Sequence, residues 1–261
     1  MRYVACLKVT PKVDQIRFDE VKKAIAREGV ENEINDADKN AIEAALLLKD
    51  RHGGSVTVMT MGPPSFDPFL KLAIAMGADE AILLSDRSFA GADTYATSRV
   101  LAAALNKLKE YDLILCGEAS SDGSTEQVPA SIAEWLGVPR VTYAIDVDVR
   151  DSKLVSKRSI QGGYEIVETG LPALVSVELG SNSPRFPDFR RKRWAESEYR
   201  STVWGIADLG FDPVEVGLQG SLTSVEELRK MASPARKGEL VNGTPHEVAA
   251  RLAQIISSSG H

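Results

Sequence analysis

The chain contains very little cysteine and histidine: two cysteines and three histidines among 261 residues. Cys6 and Cys116 lie far apart and each ends an apolar run, so we expect two small buried side chains rather than a disulfide framework. The scattered histidines, His52, His246 and His261, do not have the spacing of metal ligands, and we predict no metal site. Acid–base catalysis therefore has few candidate groups.

The chain also lacks long hydrophobic runs and an excess of positive charge. No apolar stretch reaches the length of a signal-peptide core or of a membrane-spanning helix. The formal net charge is -6, which gives no general electrostatic attraction to nucleic acid or to anionic lipid. We therefore expect a cytoplasmic protein that spans no membrane and binds no nucleic acid.

Common catalytic and nucleotide-binding motifs are missing as well. There is no Walker A or GxGxxG pattern, which disfavours an ordinary P-loop NTPase or a Rossmann dehydrogenase. No G-x-S-x-G motif lies at a strand-to-helix turn, and the sequence shows no hydrolytic triad.

The first half of the chain alternates between short apolar runs and helical patterns. Runs rich in Val, Ile and Leu predict strands, and apolar residues at helical spacing that end before glycine predict helices. Single strands that alternate with helices are typical of a doubly wound, mainly parallel, Rossmann-like α/β sheet. The predicted strands are Tyr3–Val9, Val56–Met61, Ala81–Leu84 and Leu113–Cys116, and the predicted helices are Ala37–Asp50, Phe66–Met76, Thr94–Lys109 and Glu126–Leu136.

The second half has a different pattern. Four strands joined by tight turns predict an antiparallel extension of the core. Two terminal helices are predicted at Val225–Met231 and Pro245–Ile256, the second capped by Thr244. We predict an α/β domain over 1–190 and a C-terminal arm over 191–261 that packs on a partner, with a disordered tail as the alternative. The four strands are Thr142–Val149, Leu154–Ile160, Tyr164–Thr169 and Ala173–Glu178.

Ligands of open α/β sheets bind beyond the carboxyl ends of the strands, near the point where the strand order reverses. Four segments should therefore meet at one edge of this sheet. They are Cys6-Leu7-Lys8, Met61-Gly62-Pro63-Pro64, Asp93–Ser98 and Gly117–Gln127.

The Gly117–Gln127 segment is the most informative of the four. Gly117 directly follows a predicted strand, where a glycine lets ligand and backbone approach closely. Ser124 and Thr125 lead into a helix N-terminus, whose N–H groups and dipole suit a diphosphate. Asp122 is better placed for a hydrogen bond to ribose or adenine, or for capping, than for contact with phosphate. The alternative is a helix-capping loop without a ligand.

The Asp93–Ser98 segment has a simpler explanation, in which Asp93 caps the helix and the hydroxyl groups face water. Two hydroxyl-rich helix starts that converge on one sheet edge would nevertheless suit a dinucleotide, because a dinucleotide carries two phosphates.

Five motifs, taken in order along the chain, resemble the β-subunit family of electron-transfer flavoproteins. Any one of them alone is weak, whereas the ordered set is specific. They are Val4-Ala5-Cys6-Leu7-Lys8, Ile34-Asn35 before an Ala-rich helix, Met61–Pro64 with Leu72–Asp79, Gly117–Gln127 in the form G-x-x-x-x-D-G-x-x-x-Q, and Arg158–Glu165 with Leu171-Pro172-Ala173.

This resemblance implies a fold like that of the adenine-nucleotide hydrolases, an α partner subunit and a nucleotide site in this chain. It implies an electron carrier rather than an enzyme, whose side chains bind and tune a flavin without performing the redox step. The implied redox partners are a dehydrogenase and a quinone- or ferredoxin-type acceptor. The implied cofactor-binding residues are Cys6, Asn35, Met61, Gly62, Asp93, Thr94, Thr97, Ser98, Gly117, Glu118, Asp122, Gly123, Ser124, Thr125, Gln127 and Val128.

Two branches of the family differ in what the β site holds. One holds AMP as a structural ligand, with the redox FAD mainly in the α subunit. The other holds a second FAD and bifurcates electrons from NADH. Asp86–Ser98 resembles the D-R-x-F-x-G-x-D-T-x-A-T-S stretch of bifurcating members. We therefore expect FAD in this site, with AMP as the alternative and NADH as a further ligand of the bifurcating type.

Several positions depart from the family pattern. Gln161 replaces a frequent acidic residue, and Asp36-Ala37-Asp38 replaces a Pro-aromatic pair beside the expected pocket. Ser181 stands where AMP-type members have a leucine anchor, which argues against the usual docking to an acyl-CoA dehydrogenase. The basic run Arg185–Arg193 indicates a solvated or partner-facing patch.

Besides an electron carrier with FAD in this chain and a subunit that holds AMP, the sequence leaves a third function open: an unrelated adenine-nucleotide hydrolase or stress-type nucleotide binder on a similar fold.

Overall fold

The computed structural model describes residues 1–12, 17–19, 24–26, 30–225, 238 and 240–258. It divides into two compact units, Met1–Glu227 and Leu228–His261. The boundary predicted at residue 190 therefore falls inside the first unit. Of the predicted helix Val225–Met231, residues 226–231 lie outside the described part of the chain, as does His261.

The first unit is an α/β fold, and its first half contains the strands and helices that the sequence predicts, with ends shifted by a few residues. The predicted strand Tyr3–Val9 is interrupted at Leu7-Lys8. In chain order the strands and helices of the protein are β1 (Arg2–Cys6), β2 (Val9–Pro11), β3 (Arg17–Asp19), β4 (Ala24–Ala26), β5 (Asn32–Ile34), α1 (Asp36–His52), β6 (Ser55–Met61), α2 (Asp67–Met76), β7 (Glu80–Leu84), α3 (Thr94–Leu108), β8 (Leu113–Gly117), α4 (Gln127–Leu136), β9 (Arg140–Arg150), β10 (Lys153–Ile160), β11 (Gly163–Gly170), β12 (Ala173–Val177), α5 (Phe189–Ser197), β13 (Thr202–Trp204), α6 (Ile206–Leu209) and α7 (Pro245–Ser258).

A nine-stranded sheet with the order β11-β10-β9-β12-β8-β1-β6-β7-β13 organises this unit. The strand β1 is parallel to both of its neighbours, β6 and β8. From β1 the chain builds outward through β6 and β7, then returns to the other side of β1 to form β8. The strand order therefore reverses between β1 and β8, and ligands of open α/β sheets bind outside such a point.

The place of β12 differs from the prediction that Ala173–Glu178 belongs to an antiparallel extension. The strand β12 lies inside the sheet and is parallel to both β8 and β9. Only β9, β10 and β11 form the antiparallel part. All five residues of β12 are buried, as expected for a parallel strand that is covered on both faces.

Alternate residues of β1 face two different apolar layers, because successive side chains of a strand point to opposite faces. Tyr3 and Ala5 pack in the layer that contains the buried residues of α1 and α2. Val4 and Cys6 pack in the layer that contains those of α3 and α4. The centre of the sheet is thus covered on both sides, which fixes the ends of its central strands as a base for the loops.

The described residues between 191 and 225 contribute to the first unit. The strand β13 extends the sheet beside β7, and Ala81 N donates a 2.7 Å hydrogen bond to the Tyr199 hydroxyl. Asp188 caps α5 by accepting a hydrogen bond from Arg191 N at 2.8 Å. This segment, in which the sequence shows little periodicity, is therefore ordered by contacts with distant residues.

The second unit contains α7, whose start matches the predicted cap. The hydroxyl of Thr244 donates to Glu247 Oε2 at 2.8 Å, and Thr244 N donates to the same oxygen at 2.8 Å. Among the described residues, no helix combines the length and apolar character needed to cross a bilayer.

Candidate nucleotide-binding site

Asn35 joins the start of α1 to the loop that follows β8. Its Nδ2 donates a 2.8 Å hydrogen bond to Ala119 O, and its Oδ1 accepts one of 3.1 Å from Ser121 N. Asn35 thus fixes the first half of the predicted Gly117–Gln127 segment against the neighbouring strand end. A side chain that carries both a donor and an acceptor is required for this pair of bonds.

Lys8 provides a second anchor for the same loop, from the end of β1. Its Nζ lies 2.5 Å from Asp122 Oδ1 and 3.2 Å from Ser120 Oγ. Burial acts to raise the pKa of Asp122, but the hydrogen bond and charge of Lys8, together with a hydrogen bond from Ser120, hold this pKa below its ordinary value. Lys8 was not among the predicted site residues, although it ends the first of the five motifs.

Asp38 is a further residue that sequence reasoning missed. Its Oδ2 accepts a hydrogen bond from Lys8 N, and its Oδ1 accepts one from Gly117 N, both at 2.8 Å. Burial raises the pKa of Asp38 to about 6, although both amide bonds act to lower it. The available signal is helical spacing: Asp38, Ala41 and Ala45 share the buried face of α1.

Asp38 also explains the glycine at the end of β8. A Cβ atom on Gly117 would lie 2.5 Å from Asp38 Oδ1 and 2.7 Å from Asp38 N. A side chain at this position would therefore collide with the start of α1. The sequence analysis explains Gly117 by the close approach of a ligand. In the structure, the segment that approaches Gly117 closely is the start of α1.

The N-terminus of α4 is open to an anion. No side chain caps it, and residues 121–127 are exposed. The Ser124 hydroxyl bonds Ser120 O at 3.1 Å instead of capping the helix, and the Glu126 carboxylate accepts a 2.6 Å hydrogen bond from the Tyr143 hydroxyl. Ser124 and Glu126 both have positive φ angles, 45° and 59°. Positive φ angles are uncommon for residues other than glycine, and turns that contain them can form backbone concavities that bind anions.

The N-terminus of α3 lies next to that of α4. Thr94 Oγ1 donates a 2.9 Å hydrogen bond to Gln127 Oε1, which connects the first residues of the two helices. Asp93 caps α3 through Ala96 N at 2.9 Å, as the sequence predicts. Its second oxygen accepts hydrogen bonds from Leu222 N and Thr223 N, each at 2.9 Å. The Asp93 carboxylate is thus engaged by the protein itself.

Other predicted residues of this edge face the protein interior. The Ser98 hydroxyl is buried, donates to Tyr95 O at 2.9 Å and accepts from Trp135 Nε1 at 3.2 Å. Thr97 is partly buried, and its amide donates to Asp93 O. Val128 packs against the apolar layer of α3 and α4. These are contacts of helix packing. The Ser98 hydroxyl is engaged within them and does not face the Gly117–Gln127 loop.

The remaining predicted positions line the strand ends on either side. Gly62 N donates to Leu84 O at 2.9 Å, which places Met61-Gly62 at the carboxyl end of β6. Glu118 Oε1 accepts a 3.2 Å hydrogen bond from Leu179 N. Burial raises the pKa of Glu118, with the nearby Glu178 and Glu126 charges acting in the same direction. Gly123 and Thr125 lie in the exposed part of the loop.

Cys6 and Cys116 are both buried and unoxidised, which confirms the expectation of small buried side chains. The hydrogen bond to Cys6 raises the pKa of the Cys116 thiol, and burial raises it further. In the described part of the chain no cluster of His, Cys, Asp and Glu side chains is arranged to hold a metal ion.

An open, mainly parallel sheet with two adjacent helix N-termini beyond its strand ends is typical of nucleotide-binding α/β proteins. Comparison with known proteins identifies the family. The family described as the electron transfer flavoprotein domain matches residues 22–200. This match covers more than half of the chain.

Three curated relatives resemble the chain over nearly its full length. It is 40% identical over 258 residues (99% of this chain, 98% of the relative) to the electron transfer flavoprotein subunit beta of Thermoanaerobacterium thermosaccharolyticum. It is 42% identical over 255 residues (97% and 96%) to the caffeyl-CoA reductase-Etf complex subunit CarD of Acetobacterium woodii. It is 40% identical over 272 residues (98% and 95%) to protein FixA of Azotobacter vinelandii.

The chain therefore belongs to the electron transfer flavoprotein family, as a β subunit. It is an electron carrier rather than an enzyme. The β subunits of this family pair with α subunits.

Proposed function

We propose that this chain binds FAD at the reversal point of its sheet and, in a heterodimer with an α subunit, transfers electrons between a dehydrogenase and an acceptor. The observation that carries the proposal is the hydrogen bond between Thr94 and Gln127. It holds Thr94, at the start of α3, beside the uncapped start of α4, and a helix N-terminus favours an anionic group. FAD contains two linked phosphates, whereas AMP contains one.

The residues present fit such a ligand. The start of α4 has no side-chain cap and is exposed, so its N–H groups are open to a phosphate. Ser124, Thr125 and Gln127 would bind the diphosphate from the loop, and Thr94 from α3. Asn35 and Lys8 hold the loop in place. When bound, FAD supplies the one- and two-electron chemistry that side chains lack.

We further propose that the chain belongs to the bifurcating branch and that the heterodimer oxidises NADH. The likeness of Asp86–Ser98 to that branch supports this assignment. The Acetobacterium relative is named as part of a complex between an Etf and a caffeyl-CoA reductase. By analogy, the redox partner of this chain would be a flavin-dependent dehydrogenase or reductase, and the final acceptor a quinone- or ferredoxin-type protein.

AMP in the same site is the second candidate, and one contact favours it. Asp93 already caps α3 and binds Leu222 and Thr223. Of the two adjacent helices α3 and α4, only α4 then starts without a side-chain cap, and one open helix end matches one phosphate. In that case the redox FAD would lie mainly in the α subunit.

The decisive experiment is to co-express the chain with its α subunit, denature the purified complex and quantify the released FAD and AMP. A second FAD per heterodimer, without AMP, is the expected result. One FAD with one AMP would overturn the FAD assignment. Thr94→Val should lower the FAD content, because it removes the link between the helix starts. Thr202→Val, on an exposed position of β13, is the matched control and should leave the content unchanged.

We also propose that the second unit, Leu228–His261, packs on the α subunit. Leu252 and Ile256 of α7 are 48% and 73% exposed, and apolar side chains of this size are typical of covered surfaces. Truncation after Glu227 should reduce co-purification of the α subunit. Undiminished co-purification would contradict this role.

A further inference from the structure

We infer that Asp38 is a positioning residue whose ionised carboxylate holds the two strand ends of the nucleotide site together, so that nucleotide retention depends on its charge. This inference rests on the proposal that an adenine nucleotide binds at this edge. Asp38 itself lies behind the loop and contacts backbone amides rather than the open surface.

The Asp38 carboxylate binds two segments, the end of β1 and the end of β8. Its Oδ2 accepts a hydrogen bond from the backbone amide of Lys8, and the side-chain Nζ of the same lysine contacts Asp122 and Ser120. Through Oδ1 it binds Gly117 N, from which the loop itself begins. Both strands that flank the reversal point are therefore fastened to the same side chain.

The fit around Asp38 is close. The position of a Cβ atom on Gly117 lies only 2.5 Å from Asp38 Oδ1, so the strand end and the carboxylate are in direct contact. Asp38 is buried, with 6% of its surface exposed. A change at either oxygen must therefore be accommodated by movement of Lys8 or of Gly117.

Protonation is such a change. An ionised carboxylate is an acceptor only, and both oxygens of Asp38 accept from N–H groups. A neutral carboxyl group is a weaker acceptor than an ionised one, so a proton added to either oxygen would weaken the hydrogen bonds from Lys8 N and Gly117 N. The pH at which Asp38 is protonated depends on the polar and titratable groups around it. These groups are Lys8, which pairs with Asp122, the Asn35 side chain at the start of α1, and the Cys116 thiol, which is hydrogen-bonded to Cys6.

Burial raises the pKa of Asp38 to about 6, so the carboxylate loses its charge as the pH falls through this value. Nucleotide retention should then fall as the pH falls through this value. A role limited to filling space in the core would give no such dependence.

The test uses the complete heterodimer and follows release of FAD and AMP between about pH 7.5 and about pH 5. Release from the unmodified complex should be about tenfold faster at the lower pH, since the ionised fraction falls about tenfold per pH unit below the pKa. Asp38→Asn should release nucleotide rapidly at both pH values. Asp36→Asn, an exposed carboxylate in the same turn, should behave like the unmodified chain.

Two results would overturn the inference: pH-independent release from the unmodified complex, or an equal pH dependence in Asp38→Asn. If Asp38→Asn does not fold, the profile of the unmodified complex alone decides. The nucleotide content at the higher pH tests the proposed function separately. AMP in place of FAD would overturn the FAD assignment, and the same comparison made on AMP would still test Asp38. A complex without either nucleotide would overturn both.

Discussion

Replacement of Arg185 by alanine should destabilise the first unit strongly, although Arg185 lies in a surface loop. Its Nε and Nη2 bind the Glu43 carboxylate of α1 at 2.9 and 3.0 Å, and Nη2 also lies 2.8 Å from Asp50 Oδ2. The side chain of Glu43 is only 5% exposed, whereas that of Arg185 is 32% exposed. The substitution would leave the Glu43 charge buried without its partner.

The magnitude follows from this asymmetry. Removing one partner of a fully buried ion pair costs about 3–5 kcal/mol, because the other charge remains desolvated. Arg185 is partly exposed, and its backbone N–H would still donate to Glu43 Oε2. Both facts reduce the cost, and we expect a loss of about 2–3 kcal/mol in the free energy of unfolding.

Urea unfolding of the chain, followed by circular dichroism, measures this loss. Arg193→Ala is the matched control, because Arg193 is exposed and forms no ion pair with the residues that the structure describes. It should change the free energy of unfolding by less than about 0.5 kcal/mol. Equal and small effects of the two substitutions would refute the role of the Arg185–Glu43 pair.

Three further predictions concern other contacts. Tyr199→Phe should cost about 1–2 kcal/mol in urea unfolding, because it leaves the buried amide of Ala81 without its acceptor. The buried thiols Cys6 and Cys116 should not react with a disulfide reagent in the native chain and should both react once it is unfolded; reaction in the native state would contradict their burial. The folded-state pKa of Asp38, about 6, lies above the ordinary 3.8. Protonation removes the cost of a buried charge, although it weakens the two amide bonds locally. The free energy of unfolding should therefore rise by up to about 3 kcal/mol relative to Asp38→Asn as the pH falls from 6 to 3.8, as measured by urea unfolding at each pH.

The central strands could be predicted from the sequence because their signal is local. The runs of Val, Ile and Leu in β6, β7 and β8 identify buried strands without knowledge of their neighbours. The place of β12 could not be predicted in the same way, since a strand is antiparallel or parallel only with respect to a distant partner. The helix α5 was missed because only Ala195 of its nine residues is buried, so that it has almost no apolar periodicity.

The candidate site shows the same division. The loop Gly117–Gln127 could be identified from its glycines, hydroxyl groups and position after a strand. Asp38 could not, because the two amides that it binds are 30 and 79 residues away in sequence. Lys8 was likewise assigned only to a motif, since its pairing with Asp122 spans 114 residues. Contacts of this kind depend on the sheet that brings the strand ends together.

Different interactions stabilise the sheet and the loop beyond it, and this has a functional consequence. The strands are held by two apolar layers, whereas the loop is held by the polar contacts of Asn35, Lys8 and Asp38. Apolar burial does not itself titrate, while ion pairs and charged hydrogen bonds weaken when a partner changes its charge and when salt screens it. Elements with few buried apolar contacts open before the global unfolding of a domain. The Gly117–Gln127 loop can therefore loosen under conditions in which the sheet remains intact, so that exchange of the proposed nucleotide would not require unfolding of the subunit.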